Sequence, residues 1–252
     1  MIVYGADIRA EISVLFNKPR SQNFDRVQSF AGTDLLLFHF VRLKPQNWLC
    51  DEVINMYGSL LMKHYSNKNM IIFSSLFGDR LNNRIQKRLL TTQEMQDGIE
   101  PEFDTGPYNY ENVKQFYNGR IAQRVKPLKN FDIIYIPVMY EAHWILFILD
   151  RIKDVVYLNN SIDRYCQNAL NEVIKRVRNY LMDAKLASAQ VRFESVPSPQ
   201  QIGGYDCGLF VIRFLRKALS IPEDNFPEEF KFSREDLAVD LLSLKINASS
   251  VL

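Results

Sequence analysis

Cysteine, histidine and tryptophan are scarce in this chain, and each shortage narrows the chemistry open to it. Three cysteines, Cys50, Cys166 and Cys207, are spread over 252 residues. An odd and widely spaced set argues against a disulfide framework and against a cysteine-rich zinc site, and it fits an intracellular reducing compartment, nucleus or cytoplasm. Neither sign of charge is in excess: 31 basic and 29 acidic residues leave +2. That balance gives no argument for a nucleic-acid partner. No apolar run reaches the length of a membrane span, and Asp7, Arg9 and Glu11 interrupt the N-terminus where a signal peptide would be apolar. Internal repeats and low-complexity linkers are also lacking. What is present is a hydrophobic fraction of 47%, enough for a substantial core in one large domain or two small ones.

One stretch organises the rest: Gln200-Gln201-Ile202-Gly203-Gly204-Tyr205-Asp206-Cys207-Gly208-Leu209-Phe210-Val211-Ile212. The glycine pair makes the backbone permissive just before the cysteine. Leu209, Phe210, Val211, Ile212, Phe214 and Leu215 then read as a buried helix reaching about Leu219. A cysteine at a loop-to-helix junction sits at the positive end of the helix dipole, which favours the thiolate. Gln201 can bring an amide donor to the same spot, the layout of an activated thiol with an oxyanion donor. Taken alone, Cys207 reads first as a small buried hydrophobe.

Along the chain, Ile2-Val3-Tyr4 and Ile12–Phe16 read as short strands, and 17–21 as a loop. Val53, Tyr57, Leu60, Leu61 and His64 share one face of a helix that begins after Trp48 and Leu49. Met70–Phe77 is apolar; 79–95 is polar, basic and helical in pattern; 96–112 has loop composition. Strands are expected at Phe131–Val138, Ile145–Leu149 and Val155–Leu158, joined by turns into an antiparallel meander. A helix follows with Leu170, Val173, Ile174, Val177 and Leu181 inside and Lys175, Arg176 and Arg178 outside. Val191–Val196 is a further strand, 222–232 a loop, and Leu237, Leu241, Leu242 and Leu244 mark a short closing helix.

Cysteine catalysis needs an imidazole and a group to orient it. Only three histidines exist. His39, in an apolar strand-like run, and His64, on the apolar helix face, read as core histidines. His143 begins a strand, followed by Trp144, and is open to both a surface and a catalytic reading.

The Cys207 string resembles the nucleophile motif of the SUMO-protease and ubiquitin-like-protease family of cysteine peptidases. Two further strings fit the resemblance in the family's order. Trp48-Leu49-Cys50-Asp51-Glu52-Val53-Ile54 is similar to its Trp-Leu-x-Asp-x-x-Ile helix start, with Cys50 where asparagine is usual. His143-Trp144-Ile145-Leu146-Phe147-Ile148-Leu149-Asp150 is similar to its His-Trp strand, and Asn160-Ser161 stands where the family has Asp-Ser. The resemblance covers roughly 35–219, with 1–34 as an N-terminal extension, 35–252 as the catalytic domain and a variable insertion near 96–112. It implies an α+β, papain-like fold with a small, mostly antiparallel sheet packed against helices. It also implies Cys207 as nucleophile, His143 as base, Asn160 as its orienting partner and Gln201 as oxyanion donor. Asn159 and Asp163 are rivals to Asn160. Trp48, Trp144 and Asp51 fall on the substrate side, the tryptophans walling a tunnel that only a diglycine tail can thread. No metal or cofactor is implied.

The implied reaction is cleavage after the C-terminal diglycine of a ubiquitin-like protein by a monomer. SUMO is the first expectation, with ubiquitin or NEDD8 as runner-up because divergent members, bacterial effectors among them, often take ubiquitin. An asparagine carbonyl can hold the imidazole tautomer without supplying charge, so an active enzyme is expected. Asn160 is what favours a modifier-binding pseudoenzyme instead. An acetyltransferase is the other alternative, and the two tryptophans argue against it.

Overall fold

The computed structural model describes residues 4–89, 91, 93–94, 99, 103–118, 127–163, 167–220 and 232–244. Cys166, residues 1–3 and residues 222–231 of the loop expected over 222–232 lie outside these. Two compact units divide the chain: Met1–Ser66 with Gln201–Leu252, and Asn67–Gln200.

The first unit opens with helix α1 (Tyr4–Phe16), where strand was expected over 12–16. Ile12 and Leu15 are buried while Val14 is 63% exposed. Burial three residues apart is helical spacing, and it outweighs the β-rich composition of the run. Strands β1 (Arg26–Phe30) and β2 (Thr33–Leu36) form a hairpin closed by Ala31 and Gly32, both at positive φ, as a two-residue turn requires. A short helix α2 (Leu37–Phe40) precedes α3 (Asp51–His64). Val53, Ile54, Met56, Tyr57, Leu60 and Leu61 form the buried face of α3, with Asp51 and Glu52 in the first turn favoured by the helix dipole. Two histidine expectations change here. His64 is exposed rather than in the core, its ring against Tyr65. His39 is buried as expected but lies in α2, not in a strand.

Helix α7 (Cys207–Ser220) carries the apolar run that follows the cysteine, and α8 (Arg234–Ser243) is the expected closing helix. Ser233 caps α8 by a reciprocal pair with Asp236. Beneath these helices Asp240 accepts from Tyr57 Oη at 3.0 Å and from Arg216 Nη1 at 3.1 Å, binding α3, α7 and α8 together.

The second unit is built on a five-stranded sheet, order β3 (Met70–Ile72), β6 (Ile133–Tyr140), β7 (His143–Asp150), β8 (Val155–Asn159), β9 (Arg192–Ser195). The central meander β6–β7–β8 is antiparallel, as expected; the flanking pairs β3·β6 and β8·β9 are parallel. Helix α6 (Gln167–Asp183) supplies the long crossover that a parallel β8·β9 pair requires. Helix α4 (Leu76–Leu81) packs on β6 at Gly78, where an added Cβ would meet Val138 Cα at 3.3 Å. The helical pattern read over 79–95 is interrupted after α4, although Gln93 and Glu94 are helical again. Residues 84–86 form β4 (Arg84–Gln86), paired with β5 (Phe103–Thr105), and α5 (Tyr110–Asn118) starts inside the expected loop. Arg176, expected outside, is buried: Glu172 one turn earlier accepts from its Nε, and the Leu81 carbonyl from its Nη1. Among the described residues no helix is long and apolar enough to cross a membrane.

Candidate active site

Cys207 is the first residue of α7. The Phe210 N–H donates to the Asp206 carbonyl at 2.9 Å, so Asp206 is the N-cap and the Cys207 sulfur sits in the first turn. Amides of that turn have no acceptor within the helix, and the dipole there favours an anion. The Cys207 residue is buried and not disulfide-bonded. Neither glycine of the preceding loop takes positive φ, and a Cβ on Gly204 would meet nothing within 4 Å. The pair thus leaves room at the surface rather than serving a left-handed turn. Trp48 Nε1 donates to the Gly204 carbonyl at 2.8 Å, joining the loop before α3 to the cysteine loop. Trp48 is 41% exposed, and Ile202 and Tyr205 of the cysteine loop are exposed as well. Gln201 Nε2 donates to the Gly203 carbonyl at 2.5 Å, inside its own loop. Asp51 opens α3, half-buried.

In the second unit, β6 and β7 are joined by Glu141 and Ala142, both at positive φ, and the register pairs Tyr140 with His143. This tight turn puts His143 at the first position of β7, buried. Its Nε2 lies 2.7 Å from Asn160 Oδ1. Asn160 is itself fixed: its Nδ2 donates to the Ile162 carbonyl at 2.8 Å, and its Oδ1 accepts the Ile162 N–H at 3.2 Å. Those two bonds decide which amide atom is oxygen. Since Oδ1 can only accept, Nε2 must carry the proton, and Nδ1 is the basic nitrogen. Burial lowers the His143 pKa, and the Asn160 bond partly offsets this. Trp144 follows, buried on β7.

Of the two rivals to Asn160, Asp163 is exposed, its N–H donating to Gln200 Oε1. Asn159 has a buried Nδ2 without a hydrogen-bond partner among the described residues. Gln200 also donates to the carbonyls of Asn160 and Ser198. It braces the 160–163 turn, a role its place in the sequence does not announce. Burial, then Glu52, raises the Cys50 thiol pKa strongly, which disfavours its thiolate. His39 Nδ1 accepts the Leu36 N–H at 3.3 Å and its Nε2 faces Glu52 at 3.5 Å, a satisfied core position. Among the described residues no group of His, Cys, Asp or Glu could hold a metal ion.

Known proteins are similar to this chain in sequence and in fold. Ubiquitin-like-specific protease ESD4 of Arabidopsis thaliana is 28% identical over 177 residues, 69% of this chain and 32% of that protein. Human Sentrin-specific protease 3 is 25% identical over 206 residues, 77% of this chain and 28% of that protein. The chain thus spans about a third or less of the length of these two relatives. A structure of the SUMO protease Ulp1 with its catalytic cysteine oxidised to a sulfenic acid superposes with a TM-score of 0.68 at 20% identity, covering 95% of this chain and 96% of that one. The C-terminal Ulp1 protease domain in complex with Smt3, the yeast orthologue of SUMO, also gives 0.68, at 18% identity and the same coverage. These likenesses establish the fold. Residues 47–244 match the model of the Ulp1 protease family, C-terminal catalytic domain, a range that starts later than the 35–219 expected and runs past its end to take in α8; the chain belongs to the Ulp1 protease family.

Proposed function

We propose that the chain is a cysteine peptidase and isopeptidase that hydrolyses the bond after the C-terminal diglycine of a ubiquitin-like modifier, SUMO first. The observation that carries this reading is the fixed Asn160 carbonyl against His143 Nε2. It leaves Nδ1 as the atom that takes the Cys207 proton. The thiolate, favoured at the α7 N-terminus, attacks the glycine carbonyl carbon. Oxyanion charge falls to the Cys207 backbone N–H and to the Gln201 amide, which turns from Gly203 to reach it. His143 Nδ1 then protonates the departing amine, giving a thioester and a free lysine or peptide. Water attacks the thioester with His143 as base, and Cys207 leaves as thiolate. Trp48, Trp144 and Asp51 bind the tail and its flanks.

The relatives' names, ubiquitin-like-specific and sentrin-specific protease, support a ubiquitin-like modifier, and the SUMO protease Ulp1 of the same family supports SUMO. A SUMO precursor, a lysine-linked SUMO conjugate and a linear ubiquitin fusion, each incubated with the purified protein and with Cys207→Ala, test the reading. Cleavage of both SUMO substrates after Gly-Gly, lost in the alanine variant, is expected. Cleavage of ubiquitin alone replaces the modifier. Binding without cleavage supports a pseudoenzyme, and acetyl transfer from acetyl-coenzyme A supports the other alternative.

Asn160 also sets the pH response. Burial holds the His143 pKa below its ordinary value, so imidazolium is lost early as pH rises. Asn160→Asp places a negative charge on Nε2–H, raises that pKa, and moves the alkaline limb of kcat/KM upward by about one unit or more. A profile that does not move would show that residue 160 does not face the working imidazole.

A further inference from the structure

The guanidinium of Arg234, the first residue of α8, is almost enclosed: its side chain is 10% exposed. It donates to five oxygens. Nε and Nη2 both reach Asp206 Oδ1, at 3.0 and 2.7 Å. Nη2 also reaches the carbonyls of Tyr205 at 3.0 Å and Asn47 at 2.7 Å. Nη1 reaches the carbonyls of Arg42 at 3.0 Å and Lys44 at 3.3 Å. Two of these acceptors immediately precede Cys207, and Asn47 immediately precedes Trp48. One side chain therefore spans the loop that presents the sulfur and the loop that presents the exposed tryptophan. The same two loops are joined by the bond from Trp48 Nε1 to the Gly204 carbonyl.

Charge gives Arg234 a second consequence. Asp206 is the N-cap of α7, a position where a carboxylate ordinarily turns to the first amides of its helix. Here it turns to Arg234. An uncompensated carboxylate one residue from Cys207 would oppose thiolate formation, and the arginine cancels it. Arg213, on α7, also acts on Asp206, and its Nε donates to the Phe232 carbonyl at 2.9 Å. The acids next to Arg234 are engaged elsewhere: Glu235 with Arg9 at 3.2 Å, and Asp236 with Ser233.

We propose that Arg234 is a positioning residue for the diglycine peptidase reaction, fixing the Trp48 loop on the Cys207 loop and neutralising Asp206 next to the nucleophile. The inference rests on the peptidase reading for its link to substrate, but its effect on the thiol does not depend on which modifier is cut.

Two readouts separate the two roles. The first is the pH dependence of Cys207 alkylation by iodoacetamide, followed on the Cys207 peptide by mass spectrometry. The second is steady-state cleavage of the modifier substrate. Arg234→Met takes from Asp206 the guanidinium that hydrogen-bonds it: the alkylation midpoint rises by about one unit, and kcat/KM falls about 100-fold through the displaced loops. Adding Asp206→Asn returns the midpoint to the wild-type value without restoring KM. Arg234→Lys keeps the charge but offers three donors on a flexible stem. Its midpoint stays in place while KM rises about tenfold, with kcat within about twofold. Should Arg234→Met fail to fold, the lysine variant decides on KM alone. An unchanged midpoint in folded Arg234→Met, or an unchanged KM in Arg234→Lys, overturns the corresponding role. If the wild-type protein cleaves no modifier, the peptidase reading fails, and the alkylation series still judges Arg234.

Discussion

His143→Ala loses about 10⁴-fold or more in kcat/KM while its melting temperature stays within a few degrees of wild type. The size of the loss follows from the role: without an imidazole, both the thiol activation and the protonation of the leaving amine fall to water. The mild effect on folding follows from position. His143 starts β7 beside a tight turn, and Asn160 keeps its two bonds to Ile162 when the imidazole goes. Neither other histidine can substitute. His64 is exposed against Tyr65, and His39 is held between the Leu36 amide and Glu52. A loss of less than about tenfold would remove His143 from the chemistry and leave the Asn160 bond a structural one.

Asp240→Leu lowers unfolding free energy by about 3–5 kcal/mol in urea titration, the largest stability effect expected in the chain. The carboxylate side chain is 0% exposed and its partner Arg216 is 6% exposed, so the arginine is left charged and buried without its counterion. Tyr57 loses an acceptor at the same time, and the face of Phe232, 4.1 Å from the guanidinium, cannot replace a carboxylate. Arg216→Met with Asp240→Leu removes both charges and recovers most of the loss, because apolar groups of similar volume need no desolvated partner. A single-variant loss below about 1 kcal/mol, or a double variant no better than the single, would contradict this account of the α3–α7–α8 core.

The parts of the site that carry their own side-chain signature were legible in the sequence. Cys207 stands before an apolar helical run, and His143 before a strand whose burial on both faces reads as a continuous hydrophobic stretch. Counting along the His-Trp string reached Asn160, whose Oδ1 lies 2.7 Å from His143 Nε2. Arg234 was not legible, because four of its five acceptors are backbone carbonyls, and a carbonyl looks the same in every residue. Gln200 was read without a role for the same reason: it braces the 160–163 turn through backbone groups. Charge misled at Arg176, which is buried with a carboxylate one turn away. Composition misled at 12–16, where β-branched residues sit in a helix held by Ile12 and Leu15. The ribbon β4–β5 pairs residues 84–86 with 103–105, a non-local choice that local pattern cannot express.

The central claim is that Cys207 is a nucleophile served by His143 and aimed at a diglycine carbonyl. SUMO, ubiquitin and NEDD8 carrying a C-terminal electrophile, incubated with the wild-type protein and with Cys207→Ala, test it most directly, with the adduct mapped by peptide mass spectrometry. The account predicts one adduct, at Cys207, formed fastest with the SUMO probe, absent in the alanine variant and slowed strongly by His143→Ala. A folded protein that reacts with none of the three probes, or that forms its adduct at Cys50 or Cys166, would contradict it.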